Sequence, residues 1–160
     1  MSSIPELING LIHENDKAAY RCLKELISIS EKDSGVYQFF DTFTEMIDSD
    51  NSYVRTRGLL LISENAKWDT DHKVDEIIDE YLRHIMDDKP ITARQCIKTL
   101  PNIAKYKPDL VNDILAALSK ADPQRYSGNM QPLIISDIKA ALKAISDYYE
   151  IDLRKCNDTK

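Results

Sequence analysis

The sequence predicts an all-α protein built from stacked helical hairpins. Apolar residues recur at spacings of three and four positions along almost the whole chain, which is the period of an amphipathic helix. Glycine occurs only 4 times in 160 residues, fewer than the turns and phosphate loops of β-rich or nucleotide-binding folds usually need. No run of β-branched residues shows the alternation typical of a strand. We therefore expect about eight helices paired as four hairpins.

Each helix is predicted from its own stretch of apolar periodicity. In chain order the predicted helices cover residues 4–12, 18–30, 36–47, 54–66, 74–85, 91–100, 108–118 and 131–149. Polar turns or prolines separate neighbouring helices, at residues 13–16, 32–35, 48–52, 67–71, 87–90, 101–107 and 122–129.

Capping residues and prolines support several of these boundaries. Ser2 or Ser3 can cap the first helix. Asp88 is the expected N-cap of the sixth helix, with Pro90 in its first turn. Pro101 falls inside the apolar pattern of this helix, where it removes a backbone donor and clashes with the preceding turn, so we expect a kink or break there.

Length and composition indicate a single domain over residues 1–151, followed by a polar C-terminal tail over 152–160. No signal peptide or membrane-spanning segment is recognisable, and three widely spaced cysteines indicate neither a disulfide framework nor a metal site. We therefore expect a protein of the reducing cytoplasm. The net charge of −6 argues against non-specific binding of nucleic acid by the whole surface.

The second helix of each hairpin carries a shared pattern: a small residue, a large aliphatic residue, and a further aliphatic residue three positions later. The small positions are Cys22, Gly58, Cys96 and Ala141, separated by 36, 38 and 45 residues. A small residue lets two helices approach closely at their crossing. Cys22 and Cys96 are therefore expected to be packing residues.

One segment carries a recognisable family pattern. Residues 50–62, DNSYVRTRGLLLI, place an acidic turn before Val-Arg, then a small residue and aliphatics, and this order resembles a HEAT repeat. Residues 90–97 and 103–108 are also similar to small bacterial HEAT-like proteins. The resemblance implies a right-handed α-α superhelix of about four hairpins, and an inter-repeat ladder in which Arg55 pairs with Asp48 or Asp50.

HEAT-like folds generally bind other proteins on a concave face formed by the second helices, so the resemblance implies a non-enzymatic scaffold. Cationic residues lie along those helices, whereas the first helices carry mainly acidic ones. The expected partner is therefore a protein with an acidic segment. The candidate partner-binding residues are Arg21, Lys24, Arg57, Arg94, Lys98, Lys105, Lys139 and Lys143.

Two alternatives stay open at this point. A minority of HEAT-like proteins resemble DNA-alkylation-repair glycosylases, and Trp68 and Tyr126 would be the aromatic residues of such a DNA-binding face. Self-association through the last helix is the other alternative, because this helix carries more apolar residues than one face needs.

No residues suggest chemistry with a cofactor or a metal. The chain has no glycine-rich phosphate loop, and neither His13 nor His84 has a nucleophile partner at a suitable spacing. Asp69, Asp71 and His72 form the only compact cluster of potential ligands, and capping of the next helix by Thr70 or Asp71 explains this cluster better than a metal does. We therefore predict no cofactor, no metal and no catalytic residues.

Overall fold

The computed structural model describes residues 2–150, so the predicted tail at 152–160 and Cys156 lie outside the described residues. This part of the chain forms eight α-helices and no strand, which confirms the all-α prediction. The helices are α1 (Ile4–Gly10), α2 (Asp16–Lys32), α3 (Phe40–Ile47), α4 (Ser52–Asn65), α5 (Lys73–Leu82), α6 (Pro90–Tyr106), α7 (Val111–Lys120) and α8 (Gln131–Tyr149).

Short 3₁₀ segments precede or extend several of these helices. They cover Gly35–Phe39, Ala66–Trp68, Arg83–Met86, Pro108–Leu110 and Pro123–Arg125. Each segment except Pro123–Arg125 contributes a buried side chain, and in that segment Pro123 is partly buried. The connections between helices are therefore part of the packed structure.

In three helices the side-chain oxygen of the N-cap residue caps the first turn. The Ser3 hydroxyl accepts from the Glu6 amide at 3.3 Å, as predicted for α1. Asn15 caps α2 and Asn51 caps α4, each by accepting from two backbone amides of the first turn. These caps satisfy amides that have no partner inside the helix.

The start and the middle of α6 differ from the prediction. Lys89, not Asp88, holds the N-cap position, and no side chain caps this end of the helix. Of the kink or break predicted at Pro101, the break is wrong, because α6 runs from Pro90 to Tyr106 without interruption. Packing against α4 on one side and α8 on the other holds the backbone helical despite the missing hydrogen bond.

The second helices of the four hairpins lie side by side in chain order, since α2 contacts α4, α4 contacts α6, and α6 contacts α8. The first helices α1, α3 and α7 pack on the helices that follow them, and α5 reaches α6 through the Arg83–Met86 segment. Side-chain hydrogen bonds join neighbouring second helices between Asn65 and Ser30, Thr56 and Thr92, Ser63 and Thr99, and Arg94 and Asp137.

One apolar core extends through all the hairpins. Aromatic side chains fill its centre, since Phe40, Phe43 and Tyr81 are almost completely buried. Cys96 is fully buried among them, and its burial raises the pKa of the thiol well above its usual range. The Cys96 thiol donates to the Tyr81 carbonyl at 3.6 Å. Cys96 is therefore a packing residue with an unreactive thiol.

Gly58 allows a close approach of α3 and α4. A Cβ atom at this position would lie 2.9 Å from Met46 Cβ, 3.0 Å from the Phe43 carbonyl oxygen and 3.1 Å from Ile47 Cγ2. Backbone and buried side chains of α3 cannot move aside without disturbing the core. The small residue is thus required by the α3–α4 crossing.

We predict that Gly58→Ala lowers the free energy of unfolding by about 1–3 kcal/mol, because overpacking outweighs the gain in helix propensity. Urea denaturation measures this change. Gly128→Ala is the matched control, since an added Cβ there meets no atom within 4 Å. A Gly58→Ala protein as stable as the wild type would show that the crossing has room for a methyl group.

Candidate functional site

A groove of about 750 Å³ crosses the N-terminal halves of α2, α4 and α6. Three large side chains line it and are nevertheless mostly exposed: Tyr20 is 57% exposed, Tyr53 61% and Ile91 67%. They come from three different helices, so the patch exists only in the folded stack. Clustered exposed apolar side chains of this kind mark interaction surfaces more often than isolated ones do.

Helix geometry explains why these residues face outwards. Tyr53 and Ile91 each hold the second position of their helices, directly after Ser52 and Pro90. The helical period places Tyr53 opposite the core side of α4 and on the same face as Leu60, seven residues later. Leu60 is only half-buried and also lines the groove.

The floor of the groove is polar but internally satisfied. The Thr56 hydroxyl donates to the Ser52 carbonyl at 2.9 Å and lies 3.0 Å from the Thr92 hydroxyl. Thr92 also lies within hydrogen-bond distance of the same carbonyl, at 3.3 Å. These contacts use the hydroxyl protons to join α4 to α6, so neither threonine has a free donor for a ligand.

Two of the predicted cations, Lys24 and Lys98, are inferred from the repeat alignment to border the groove, and neither is itself among the residues that line it. In the aligned second helices they occupy the position that Leu60 occupies on α4. Both lysines are exposed, and neither forms an ion pair with another residue in the described range. The Lys24 ammonium lies 5.5 Å from the centre of the Tyr20 ring. An apolar centre thus lies between two cationic borders.

Arg57 lines the groove, but its charge is paired within the fold. Its side chain is only 7% exposed, and its guanidinium donates to the Leu11 carbonyl at 2.9 Å and to Asp16 Oδ1 at 3.1 Å. Arg57 therefore joins α4 to the α1–α2 hairpin. Two of its donors are directed at Leu11 and Asp16, and its contact with a partner stays a prediction.

The other predicted cations are distributed over several environments. Arg94 is part of an ion pair with Asp137 at 2.6 Å, which links α6 to α8. Lys143 pairs with Asp147 within α8 at 2.9 Å. The remaining three are exposed and lie apart from the groove lining: Arg21 on α2, Lys105 on α6 and Lys139 on α8.

The predicted basic strip is also interrupted on α4. Glu64 lies on the same half-exposed face of this helix as Leu60, four residues further on. Burial raises the pKa of the Glu64 carboxyl, and nearby Lys67 opposes this effect. The groove and its two bordering lysines therefore form a more compact candidate site than a continuous strip along all second helices.

Sequence reasoning missed Tyr20 and Tyr53, and it assigned Ile91 to the apolar core. Lys89, which is exposed and also lines the groove, was missed too. One signal could have identified the patch. Tyr53 and Ile91 fall at the same position of successive repeats, outside the small-aliphatic pattern that forms the core.

The buried carboxylate of Asp87 holds the N-terminal ends of α4 and α6 beside the groove. Arg55 donates to it from two nitrogens, at 2.7 and 3.0 Å, and His84 Nδ1 lies 2.7 Å away. The Lys89 amide donates at 2.9 Å, while the Asp87 carbonyl accepts from the Tyr126 hydroxyl at 2.6 Å. Although burial opposes ionisation, His84 and Arg55 hold the pKa of the Asp87 carboxyl well below its usual range.

Arg55 forms a different ladder from the one the family resemblance implied. Its guanidinium donates to the Ser49 and Asp50 backbone carbonyls, both at 3.1 Å, and its side-chain partner is Asp87 of the next hairpin. The carboxylates of Asp48 and Asp50 are not its partners. The ladder therefore links one hairpin to the following one through a turn residue 32 positions away.

Asp69, from the acidic cluster in the sequence, has a comparable structural environment. It accepts from the Lys73 and Val74 amides at 2.8 and 2.9 Å, so Asp69 caps α5 in place of Thr70 or Asp71. Lys107 lies 2.8 Å from its carboxylate, and the Tyr37 hydroxyl donates to it at 2.5 Å. Despite the opposing effect of burial, these bonds lower the pKa of the Asp69 carboxyl. Across residues 2–150, no three His, Cys, Asp or Glu side chains converge as a metal site would require.

Trp68 and Tyr126, the aromatic residues of the alternative DNA-binding face, both contact other parts of the fold. The Trp68 indole donates to the Ser30 carbonyl at 2.7 Å and closes the junction between α2 and α4. Tyr126 is 7% exposed, and burial raises its pKa to about 12. The Trp68 indole N–H is thus engaged within the fold, and the Tyr126 side chain is buried.

Comparison of the chain with protein-family models, with curated proteins and with solved structures finds no match. Over residues 2–150, no helix combines the length and apolar character needed to cross a bilayer.

We predict that Asp87→Asn lowers the free energy of unfolding by about 3 kcal/mol at pH 7, because it leaves the Arg55 guanidinium without its charged partner. The folded pKa of Asp87 is depressed, so its stabilising contribution is present at neutral pH and is lost as pH falls below the unfolded value of about 4. Urea denaturation between pH 7 and pH 3 measures both effects.

The difference between wild type and Asp87→Asn should therefore shrink as the pH falls. Asp79→Asn is the control, because Asp79 is exposed and forms no ion pair with another described residue. A constant difference over the whole pH range would contradict the assigned role of the Asp87 charge.

Proposed function

We propose that this chain is a non-enzymatic, HEAT-like interaction module that binds an acidic segment of another protein. The binding surface is the groove across α2, α4 and α6, on the face of the second helices. The resemblance of residues 50–62 to a HEAT repeat and the side-by-side packing of the second helices support a superhelical arrangement with this face as the concave side. A cytoplasmic location belongs to the same proposal.

One observation carries the proposal: Tyr20, Tyr53 and Ile91 are more than half exposed and line a single groove. Exposing large apolar side chains to water is unfavourable, and burying each of them would contribute about 1.5–3 kcal/mol to binding before the costs of association. Aromatic side chains such as these commonly anchor protein interfaces.

Charge supports an acidic partner. Lys24, Lys89 and Lys98 are exposed around the groove on a protein whose net charge is −6. The one carboxylate that lines the groove among the described residues, Asp16, is bonded to Arg57. The local field is therefore cationic, and it favours a segment that carries Asp or Glu beside its apolar residues.

We predict that Tyr53→Ala combined with Ile91→Ala abolishes capture of the partner while the melting temperature stays within about 2 °C of the wild type, because both side chains are exposed. The tagged protein and its variants are incubated with lysate of the source cells, and captured proteins are quantified by mass spectrometry. Supporting evidence is a defined protein that is retained by the wild type and lost from the double variant.

Leu133→Ala combined with Tyr148→Ala is the matched control, because these side chains are 42% and 54% exposed on α8 and lie outside the groove. This control should retain the partner. Equal capture by the wild type and the groove variant would refute the proposal. Concentration-dependent light scattering of both double variants separates loss of a partner from loss of self-association through α8.

A further inference from the structure

We infer that the segment bound in this groove is an amphipathic α-helix, not an extended strand. This inference rests on the proposed function and specifies the conformation of its partner. Three features support it. The hydroxyl groups in the groove already form hydrogen bonds within the protein, the apolar anchors Tyr20, Tyr53 and Ile91 lie on three adjacent helices, and Lys24 and Lys98 border the groove.

The groove lies on helices, whose backbone groups are bonded within each helix, so it offers no regular row of donors and acceptors to an extended backbone. A bound strand needs a row of donors and acceptors along its length, as a sheet edge provides. Here the hydroxyls of Thr56 and Thr92 are bonded to each other and to the Ser52 carbonyl. Gln95 is the only side-chain amide among the described residues that line the groove.

An extended segment in this groove would therefore bury backbone amides and carbonyls without partners, which is strongly unfavourable. A helix forms its backbone hydrogen bonds internally and presents only side chains. The mainly apolar surface of the groove therefore fits a bound helix better than a bound strand.

The spacing of the apolar anchors also fits a helix. Tyr20, Tyr53 and Ile91 belong to three adjacent helices, and packed helices lie about 8–10 Å apart. The anchors therefore extend over roughly 16–20 Å across the stack, about the length of three to four turns of helix. Apolar residues that recur every three or four positions from i to at least i+11, a length of about 16 Å or more, would form the matching stripe.

The bordering lysines determine the chemistry of the partner's flanks. Lys24 and Lys98 lie on either side of Leu60 in the aligned stack, and both are exposed. Asp or Glu residues beside the apolar stripe of a bound helix would lie close to these ammonium groups. The groove thus fits a helix with an apolar centre and acidic edges.

A phage library of random 16-residue peptides tests this inference, with the wild-type protein as bait and Tyr53→Ala/Ile91→Ala as counter-selection. We expect enriched peptides with apolar residues at helical spacing and acidic residues beside them. A synthetic peptide of the enriched sequence should gain helical circular dichroism on binding. Lys24→Glu combined with Lys98→Glu should weaken its affinity about tenfold, whereas Lys120→Glu on α7 should leave it unchanged.

Three results would overturn the inference: enriched peptides with alternating apolar spacing, peptides that bind without gaining helix, and no enrichment over the counter-selection bait. These results are distinguishable from failure of the proposed function. If cellular capture depends on Tyr53 and Ile91 but the selected peptides are extended, the groove binds a partner and only its helical conformation is refuted.

Discussion

The burial of the Asp87 carboxylate constrains the geometry of the central hairpins. A charge that is removed from water must be bonded on several sides, and here Arg55, His84 and the Lys89 amide provide those bonds. Arg55 belongs to the first turn of α4, and Lys89 precedes α6. The starts of both helices are consequently held against one turn. The groove between Tyr53 and Ile91 exists because these two starts are held side by side.

A second carboxylate has the same function at the turn that follows α4. Asp69 caps α5 and bonds to Lys107 and Tyr37, which come from the hairpins after and before it. Each buried carboxylate thus ties together segments more than 30 residues apart. The apolar core supplies most of the driving force for folding, whereas these polar contacts specify how successive hairpins align. Fixed hairpins in turn give the groove a fixed shape, which lowers the cost of ordering it on binding.

The sequence predicted the parts of the fold that depend on local periodicity. The eight helices follow from apolar spacing, and Gly58 follows from comparing equivalent positions. The roles of Arg57 and Asp87 could not be predicted, because both depend on partners that are distant in sequence and become neighbours only after the hairpins stack. The sequence places Arg57 with the exposed cations of the second helices, yet its guanidinium donates to Leu11 and Asp16. Local pattern identifies the face of a helix, and tertiary packing decides whether that face is covered.

Because packing covers some of the predicted cations, the candidate surface is an apolar groove and not a continuous basic strip. A continuous basic strip would bind through long-range electrostatics, and its affinity would fall steeply with salt. The folded arrangement instead places Leu60, Tyr53 and Ile91 in the middle of the surface, while Arg57 and Arg94 are occupied by Asp16 and Asp137. In the proposed function, apolar burial would supply most of the affinity, and Lys24 and Lys98 would contribute to the rate of encounter and to the choice of partner. Such a surface discriminates by the pattern of apolar residues in its ligand, which a purely cationic strip cannot do.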